Sequence, residues 1–452
     1  MQKDSLYLKF IRNILPSPFS IAVLLTILTF ILALIFTERP ENAVTIYPIK
    51  ILEYWEIGFW ELLEFTMQMA LILILGHALA LTPFFNRIIN VFTKYCNNTA
   101  SAAFWISLLT VSVSFLNWGL CLVFGAIFAR KVAERAKEKG LKINYPLIAA
   151  AGYSGMMCWH GGFSGSAPLT VAAAGHFLED QIGRIGIEQT LLSPMNITAT
   201  VLLLVIIPTT FYLLGKRSSS TEINLPAESQ GITEASQKTK LVRAERIDHS
   251  KIFATIIGGL ICFLAIKKIW TTPTGAGLSF INLNYINFFL FGLGILLHSS
   301  FHKFLNAVQE AVGGSVGIII QFPLYAGIMG IMKYSGLGAE VSHAFVSISN
   351  TTTLPIFSFV SAGLVNIFVP SGGGQWAVQG PILTEAAQTL NVSVPKTIMA
   401  LSYGDQLTNM LQPFWALPLL GITRLKAKDI LPYSAIIMLV GMALFIAVLL
   451  IF

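Results

Sequence analysis

The sequence predicts an all-α integral membrane protein, and three observations carry this prediction. Hydrophobic residues make up 55% of the 452-residue chain and charged residues only 11%, whereas soluble domains average about 25% charged residues. Several apolar runs reach the roughly 20 residues that a helix needs to cross a bilayer. The chain lacks the regular alternation that is typical of membrane β-barrel strands. It is therefore expected to cross the membrane several times as helices.

The order of apolar runs and basic loops predicts the topology. Lys3, Lys9 and Arg12 precede the first run, which we interpret as a retained helix rather than a signal peptide, so the N-terminus is expected in the cytoplasm. The acidic segment 38–61 suits the outer face. Much of the net charge of +7 lies in loops beside apolar runs, which indicates topology rather than nucleic-acid binding. About nine spans are predicted, ending on the outer side, at residues 18–37, 60–82, 146–172, 196–215, 252–270, 283–299, 315–334, 395–422 and 431–451.

Two apolar runs do not fit single crossings and are predicted to be re-entrant hairpins. The run 101–130 begins on the cytoplasmic side and leads into the densest basic cluster of the chain, which should also be cytoplasmic. We expect it to turn at 117–119. The run 352–390 is too long for one span, and Pro370 with the glycines at 372–374 breaks it in the middle. This second hairpin is expected to have both ends outside.

The two halves of the chain resemble each other at an offset of about 250 residues, with Asn117 matching Asn366 and Tyr153 matching Tyr403. Because the hairpins enter from opposite sides, the repeats are expected to be inverted. Inverted repeats with broken helices at the midplane are typical of transporters that work by alternating access. The predicted parts are an N-terminal repeat at 1–215 (hairpin 101–130, broken helix 146–172), a cytoplasmic linker at 216–251, a connecting helix at 252–270, and a C-terminal repeat at 283–452 (hairpin 352–390, broken helix 395–422).

Four breaks, at 117–119, 152–165, 369–375 and 402–413, are expected to converge on a substrate site. Exposed backbone N–H groups and half-helix N-termini favour an anion, and glycine allows the backbone to approach it closely. A tight structural turn is the alternative for the glycine triplet, whereas a phosphate-binding loop is disfavoured because no Gly-Lys-Ser/Thr follows. The predicted substrate-binding residues are Asn117, Trp118, Gly119, Ser154, Gly155, His160, Ser371, Gly372, Gly373, Gly374, Gln375 and Trp376.

Asp405 is an ionisable residue inside a predicted membrane segment, which favours a role in cation binding or proton transfer. The alternative is a carboxylate that Thr408 or Asn409 satisfies structurally. His160 is the second candidate for coupling. No cofactor is expected beyond a coupling sodium ion or proton, and the choice between them stays open. The predicted ion-coupling residues, whose oxygen atoms suit a hard cation, are Asp405, Asn366, Gln406, Thr408, Asn409 and Gln412.

The run 162–165, Gly-Phe-Ser-Gly, raises a different class of function, an intramembrane serine hydrolase. Ser164 would then need a histidine base on another helix, and His298 is the distant helical candidate. Short matches in glycine-rich membrane segments are frequent by chance, so we predict a transporter and no enzyme. The four cysteines lack metal-like spacing and are expected to be free thiols.

The run 369–381, VPSGGGQWAVQGP, closely resembles the signature of the bacterial short-chain fatty acid transporters. The likeness extends over nearly the whole chain, including the N-terminal Phe-Ser run and the run 403–406, Tyr-Gly-Asp-Gln. The resemblance implies a transporter for monocarboxylates such as butyrate and acetoacetate in the bacterial inner membrane. It also implies inverted-repeat homodimers with an elevator-like motion. A dicarboxylate carrier or a sodium/proton exchanger of the same superfamily is the alternative.

Overall fold

The structure is a computed structural model that describes residues 18–38, 47–218, 245–271, 280–368 and 372–452. The N-terminal basic residues, most of the predicted linker 216–251, Pro370 and Ser371 lie outside the described residues. Helices account for most of the described chain, as the sequence predicts for an all-α protein.

The helices of the N-terminal half include the arms of the first predicted hairpin and both parts of the first broken helix. In chain order they are α1 (Pro18–Phe36), α2 (Tyr47–Glu61), α3 (Leu63–Ala80), α4 (Pro83–Thr93), α5 (Thr99–Ser114), α6 (Trp118–Glu138), α7 (Tyr145–Tyr153), α8 (Ser166–Val171), α9 (Glu179–Ile182) and α10 (Pro194–Arg217).

The remaining helices run from the described end of the linker to the C-terminus. They are α11 (Glu245–Asp248), α12 (Lys251–Thr271), α13 (Leu283–His298), α14 (Phe301–Val312), α15 (Val316–Ser335), α16 (Leu337–Ile348), α17 (Thr353–Phe368), α18 (Gly372–Thr389), α19 (Val394–Thr408), α20 (Pro413–Thr423) and α21 (Ala427–Ile451).

Several helices are long and apolar enough to cross a membrane. Within the described residues there are five: Leu63–Ala80, Pro194–Arg217, Lys251–Thr271, the continuous stretch Phe301–Ser335, and Ala427–Ile451. Shorter apolar helices occur at Ala22–Phe36, Thr99–Ser114, Leu283–His298 and Thr353–Asn366. All of these overlap predicted spans or hairpin arms. The count of about nine crossings stays a prediction.

Helix α2 is an element that the sequence reasoning did not foresee, since 38–61 was expected only as an acidic outer segment. Tyr47 and Ile51 are buried, while Lys50 and Glu53 form an exposed ion pair on another face of the helix. The helix packs along α15 at a pair of glycines, and a Cβ on Gly58 would lie 2.5 Å from the Cα of Gly330. The acidic segment therefore contains an amphipathic helix, and α15 covers the apolar face of that helix.

The two predicted hairpins correspond to pairs of helices that pack side by side, α5 with α6 and α17 with α18. Asn117 ends the first turn, because its side chain accepts the N–H of Leu120 and caps α6. The turn at 369–371 lies outside the described residues. Whether either pair re-enters the membrane stays a prediction.

Both predicted broken helices are interrupted. Helix α7 ends at Tyr153, and two 3-10 turns, Ser154–Met157 and Trp159–Gly161, precede α8. Helix α19 ends at Thr408, and the 3-10 turn Asn409–Leu411 precedes α20, which begins at a proline that has no N–H to leave unpaired. The order of hairpin arms, broken helix and long helix thus occurs twice, while the inverted relation stays a prediction.

Candidate functional site

The structure brings the four breaks together around Trp159 and His160. The ring of Trp118, at the first hairpin turn, lies 5.9 Å from that of Trp159, and the backbone N–H of Trp118 donates to Ser164 at 3.0 Å. On the other side, a Cβ on Gly372 would lie 3.0 Å from Cε1 of His160. The backbone N–H of His160 donates to the side chain of Gln406 at 2.9 Å. Residues from both halves therefore meet at one point.

A buried histidine–carboxylate pair lies at this point. Nδ1 of His160 is 2.8 Å from Oδ2 of Asp405, and the two side chains are 0% and 1% exposed. The backbone N–H of Ala167, at the start of α8, donates to Nε2 of the same ring at 3.1 Å. Nε2 is therefore an acceptor, so Nδ1 carries the proton and donates to Asp405. The pair is a neutral imidazole bound to a carboxyl group.

Asp405 is only partly satisfied by this contact. Its second oxygen, Oδ1, is buried and has no hydrogen-bond partner among the described residues. Burying a carboxylate without full compensation is costly. No group of three histidine, cysteine or acidic side chains suited to a transition metal occurs in the described parts of the chain.

The amide side chains around Asp405 tie the end of α17 to the break after α19. Nδ2 of Asn366 contacts the carbonyl of Asp405 at 2.7 Å, and Thr408 Oγ1 and Asn409 Oδ1 at 2.9 Å. Nε2 of Gln412 donates to the carbonyl of Asn366 at 2.7 Å. Oδ1 of Asn366 is buried and has no partner in the described structure. The predicted ion-coupling residues thus form one network, and their coupling role stays a prediction.

The glycine triplet forms the first turn of α18, and each glycine lies against a different side chain. A Cβ on Gly372 would lie 2.8 Å from Trp159 and 3.1 Å from Oδ2 of Asp405. A Cβ on Gly373 would lie 2.7 Å from Phe65, and one on Gly374 would lie 2.5 Å from Tyr325. The missing side chains therefore let this turn approach both the buried pair and the aromatic faces of α3 and α15.

Two further predicted residues follow the triplet on α18. Nε2 of Gln375 donates to the carbonyl of Ala362 at 2.8 Å and to Gln379 at 2.7 Å. Oε1 of Gln375 is buried without a partner in the described residues. Trp376 is fully buried, and its ring lies 6.4 Å from that of Phe177. Their part in substrate binding stays a prediction.

Other predicted substrate-binding residues occupy packed positions. Oδ1 of Asn117 accepts the N–H of Leu120, and its Nδ2 donates to the carbonyl of Ile72 at 3.1 Å. The hydroxyl of Ser154 donates to the carbonyl of Ala151. Gly119 and Gly155 lie against backbone, where added Cβ atoms would come within 2.9 Å of the carbonyl oxygens of Leu73 and Thr110, respectively. Structural roles account for these contacts, and binding by these residues stays untested.

A narrow cavity of about 10 Å³ adjoins the first turn of α18, roughly the room that one water molecule needs. None of its described lining residues is charged. Its walls are Met69, Trp118, Met156, Trp159, Ile318, Phe322, Gly372, Gly373 and Trp415. Met69, Ile318 and Phe322 come from α3 and α15, and sequence reasoning missed them because they carry neither a polar group nor a helix break.

Asn196 is a further residue that sequence reasoning missed. Its Oδ1 accepts the hydroxyl of Tyr403 at 3.0 Å, and its Nδ2 donates to the carbonyl of Gly161 at 2.9 Å. In the other direction, Tyr153 donates to the carbonyl of Asn409 at 2.8 Å. Each tyrosine of the repeat therefore stabilises the break of the opposite half. A lone amide inside an apolar span was the available signal for Asn196.

The geometry does not assemble a serine hydrolase. Ser164 Oγ accepts the N–H of Trp118, and His298 donates instead to the carbonyl of Ala78, with Nε2 and the oxygen 2.9 Å apart. The nearer His160 has both ring nitrogens engaged by Asp405 and Ala167. Ser164 thus has no histidine base among its described contacts.

Comparison with known proteins supplies the family. The sequence model of the short chain fatty acid transporter family matches residues 3–452. A protein of Escherichia coli (strain K12) that is named for short-chain fatty acid transport is 37% identical over 450 residues, which cover 97% of this chain and 98% of the relative. A protein of Haemophilus influenzae with the same name is 36% identical over 434 residues, covering 94% and 93%.

Two solved structures resemble the fold over nearly its whole length. The crystal structure of the Alcanivorax borkumensis YdaH transporter, described as having an unusual topology, matches with a TM-score of 0.59 and 15% identity, covering 96% of this chain and 98% of that chain. Neisseria gonorrhoeae MtrF, described with a class of antimetabolite efflux pumps, matches with a TM-score of 0.58 and 16% identity, covering 97% of both chains. At these identities the likeness shows a shared fold.

Proposed function

The chain belongs to the short-chain fatty acid transporter family and is a multi-pass membrane transporter, and from that premise we propose that it takes up short-chain monocarboxylates together with a cation. Butyrate and acetoacetate are the substrates that the family suggests. We assign the protein to the bacterial inner membrane, with a cytoplasmic N-terminus and a periplasmic C-terminus.

The observation that carries the coupling proposal is the buried contact between His160 and Asp405. This contact connects the break after α7 in the N-terminal half to α19 in the C-terminal half. A change in the charge of Asp405 therefore affects both halves. Oδ1 of Asp405 has no partner in the described chain and is where a proton or a cation would bind. Neutralising the buried carboxylate lowers its burial cost, which gives the empty and cation-loaded states different stabilities.

Accumulation of an anion inside the cell supports coupling to such a cation. A monovalent anion that enters a cell against an inside-negative potential must overcome about 2.3 kcal/mol per 100 mV. One cotransported positive charge cancels that electrical cost, and a second would drive accumulation. Sodium and a proton both satisfy this requirement. The described residues that line the cavity carry no charge, which suits one carboxylate better than the two of a dicarboxylate.

We further propose that substrate crosses by alternating access, with an elevator-like motion in a homodimer of inverted repeats. The repeated element order supports the internal symmetry. The contact of α18 with α3 and α15 supports such a motion, because Gly373 and Gly374 face Phe65 and Tyr325 there. A helix surface without side chains can slide along its neighbours with few steric barriers. The fold likeness to transporters supports a transport mechanism in general.

Uptake of labelled butyrate into proteoliposomes tests the function. We expect accumulation that depends on an inward sodium or proton gradient, and competition by other C2–C6 monocarboxylates but not by succinate. Asp405→Asn should lose gradient-driven accumulation, because the amide does not bind a proton and has no negative charge with which to neutralise a cation. Asp248→Asn, at an exposed position on α11, is the matched control and should transport normally.

The outcomes separate the parts of the proposal. Wild-type protein that accumulates no C2–C6 monocarboxylate under either gradient would reject the transport function. Normal gradient-driven accumulation by Asp405→Asn would exclude Asp405 from coupling while leaving the function intact.

A further inference from the structure

Two tryptophan side chains that line the cavity have indole N–H groups without a hydrogen-bond partner in the described part of the chain. Trp118 and Trp159 are 2% and 4% exposed, and both line the cavity beside α18. Neither indole nitrogen has a hydrogen-bond partner among the described residues. Buried N–H groups are seldom left unpaired, and each that lacks a partner needs an explanation. Two of them at one cavity indicate a shared acceptor.

The same cavity includes the first turn of α18. Gly372 and Gly373 line it, and they belong to the turn whose backbone N–H groups have no partner within the helix. The amino-terminal end of this 18-residue helix also carries a partial positive charge that attracts anions. The donors on both sides of the cavity therefore favour a ligand with a negative charge and several acceptor atoms.

The remaining walls are apolar. Met69 of α3 and Ile318 and Phe322 of α15 are 3–6% exposed and contribute no polar atom. Met156 and Trp415 complete the lining. A ligand that fits has one anionic end and a short apolar tail. An unbranched monocarboxylate has this composition.

We propose that the substrate carboxylate binds here, accepting hydrogen bonds from the indole N–H groups of Trp118 and Trp159 and lying at the first turn of α18. The acyl tail lies among Met69, Ile318 and Phe322. This assignment rests on the proposed function for its ligand class and adds the donors that recognise the carboxylate.

The small volume of the cavity indicates that substrate binding requires a conformational change. A cavity of about 10 Å³ is far smaller than a four-carbon acid, so the walls must separate to admit one. They belong to six different elements, namely α3, α6, the break after α7, α15, α18 and α20. Separation of these elements admits the ligand, and their return around it excludes water. The described conformation thus corresponds to a closed, contracted site.

The position of the site accounts for coupling. The Cβ position of Gly372 is 2.8 Å from Trp159 and 3.1 Å from Oδ2 of Asp405, so a carboxylate at this turn lies close to a second carboxylate. Two negative charges at such separations repel strongly away from bulk water. Substrate therefore binds more tightly once a cation or a proton neutralises Asp405, which is the thermodynamic requirement of symport.

The test removes the two N–H groups and keeps the aromatic walls. Trp118→Phe and Trp159→Phe should each raise the KM for butyrate about tenfold or more, since hydrogen bonds to a charged acceptor are the strong kind. Trp55→Phe is the matched control. Its indole nitrogen is also buried without a described partner, but it lies against Gly327 on α15 and does not line the cavity. Its KM should equal that of the wild type.

A second measurement avoids substitution. In wild-type protein labelled with ¹⁵N-tryptophan in nanodiscs, saturating butyrate should shift two indole N–H resonances, which Trp118→Phe and Trp159→Phe identify. Butyramide, a neutral analogue, should leave them unchanged. If the wild type transports butyrate but no indole resonance moves, or both variants keep the control KM, the inference is wrong and the proposed function stands. Absence of wild-type transport instead rejects the proposed function.

Discussion

The N–H of Ala167 decides which member of the buried pair can take up a cation. It donates to Nε2 of His160, and a second proton on that nitrogen would break the bond and place two hydrogens against each other. His160 is therefore held as a neutral donor to Asp405. Oδ1 of Asp405 has no hydrogen-bond partner among the described residues, so Asp405 is the group to which we assign the proposed coupling ion. His160, the second candidate from sequence, is better interpreted as the residue that orients Asp405.

Gly372 lies at the proposed substrate site and beside both His160 and Asp405, so it gives a sensitive substitution. In Gly372→Ala, the new methyl group would lie 2.8 Å from Trp159, 3.0 Å from His160 and 3.1 Å from Asp405. Overpacking of this kind costs about 1–3 kcal/mol, and we expect a loss in butyrate uptake of about tenfold or more. Initial uptake rates in proteoliposomes measure the effect.

Gly259→Ala is the control for this prediction. A Cβ at Gly259 on α12 meets no atom within 4 Å, so the substitution should leave uptake unchanged and stabilise the helix slightly. Equal uptake by the two variants would show that the first turn of α18 accommodates a methyl group beside His160 and Asp405, and would contradict the prediction.

At the scale of elements, the sequence predicts the helix breaks well, but it predicts poorly which residues of other helices pack over these breaks. Glycine, proline and polar residues inside apolar runs mark where helices stop, so the interruptions at 152–165 and 402–413 and the position of Asp405 were accessible. Ile318 and Phe322 are ordinary apolar residues of a span, and only tertiary packing places them at the cavity. The N–H of Ala167 carries no residue-type signal at all. The sequence thus predicts where a helix breaks, but it does not predict which other helix packs against the break.

Helix α15 should set the length of acyl chain that the transporter accepts. Ile318→Ala removes part of the cavity wall, and each additional buried methylene is worth about 0.8 kcal/mol, or about a fourfold change in affinity. We therefore expect the ratio of the KM for hexanoate to that for butyrate to fall severalfold. Competition kinetics with both acids measure this ratio.

Ile320→Ala on the same helix is the matched control, because Ile320 is 54% exposed and does not line the cavity. Its KM ratio should remain that of the wild type. Large-to-small changes at buried sites cost about 2–5 kcal/mol of stability, so thermal unfolding in detergent should accompany the kinetics. A stable Ile318→Ala protein with the wild-type ratio would contradict this role for α15.

At the scale of the whole molecule, the charge distribution and the two predicted hairpins together predict termini on opposite sides of the membrane. The basic cluster at 130–142 follows α6 and the basic pair Lys216 and Arg217 ends α10, so both are expected in the cytoplasm. From α10 onward an odd number of crossings is then needed to give a repeat of inverted orientation. On this prediction the C-terminus at Phe452 is expected outside.

Single-cysteine labelling tests this topology on intact cells. Ser218→Cys, after α10, should react with a membrane-impermeant maleimide only after the cells are permeabilised, whereas Phe452→Cys should react in intact cells. The background should be low, because the four native cysteines are free but buried, and burial raises the pKa of the Cys96 thiol to about 12. Little of that thiol is then a reactive thiolate at neutral pH. If both introduced cysteines react from the same side, the crossings between them are even in number, and the two repeats share one orientation instead of opposing each other.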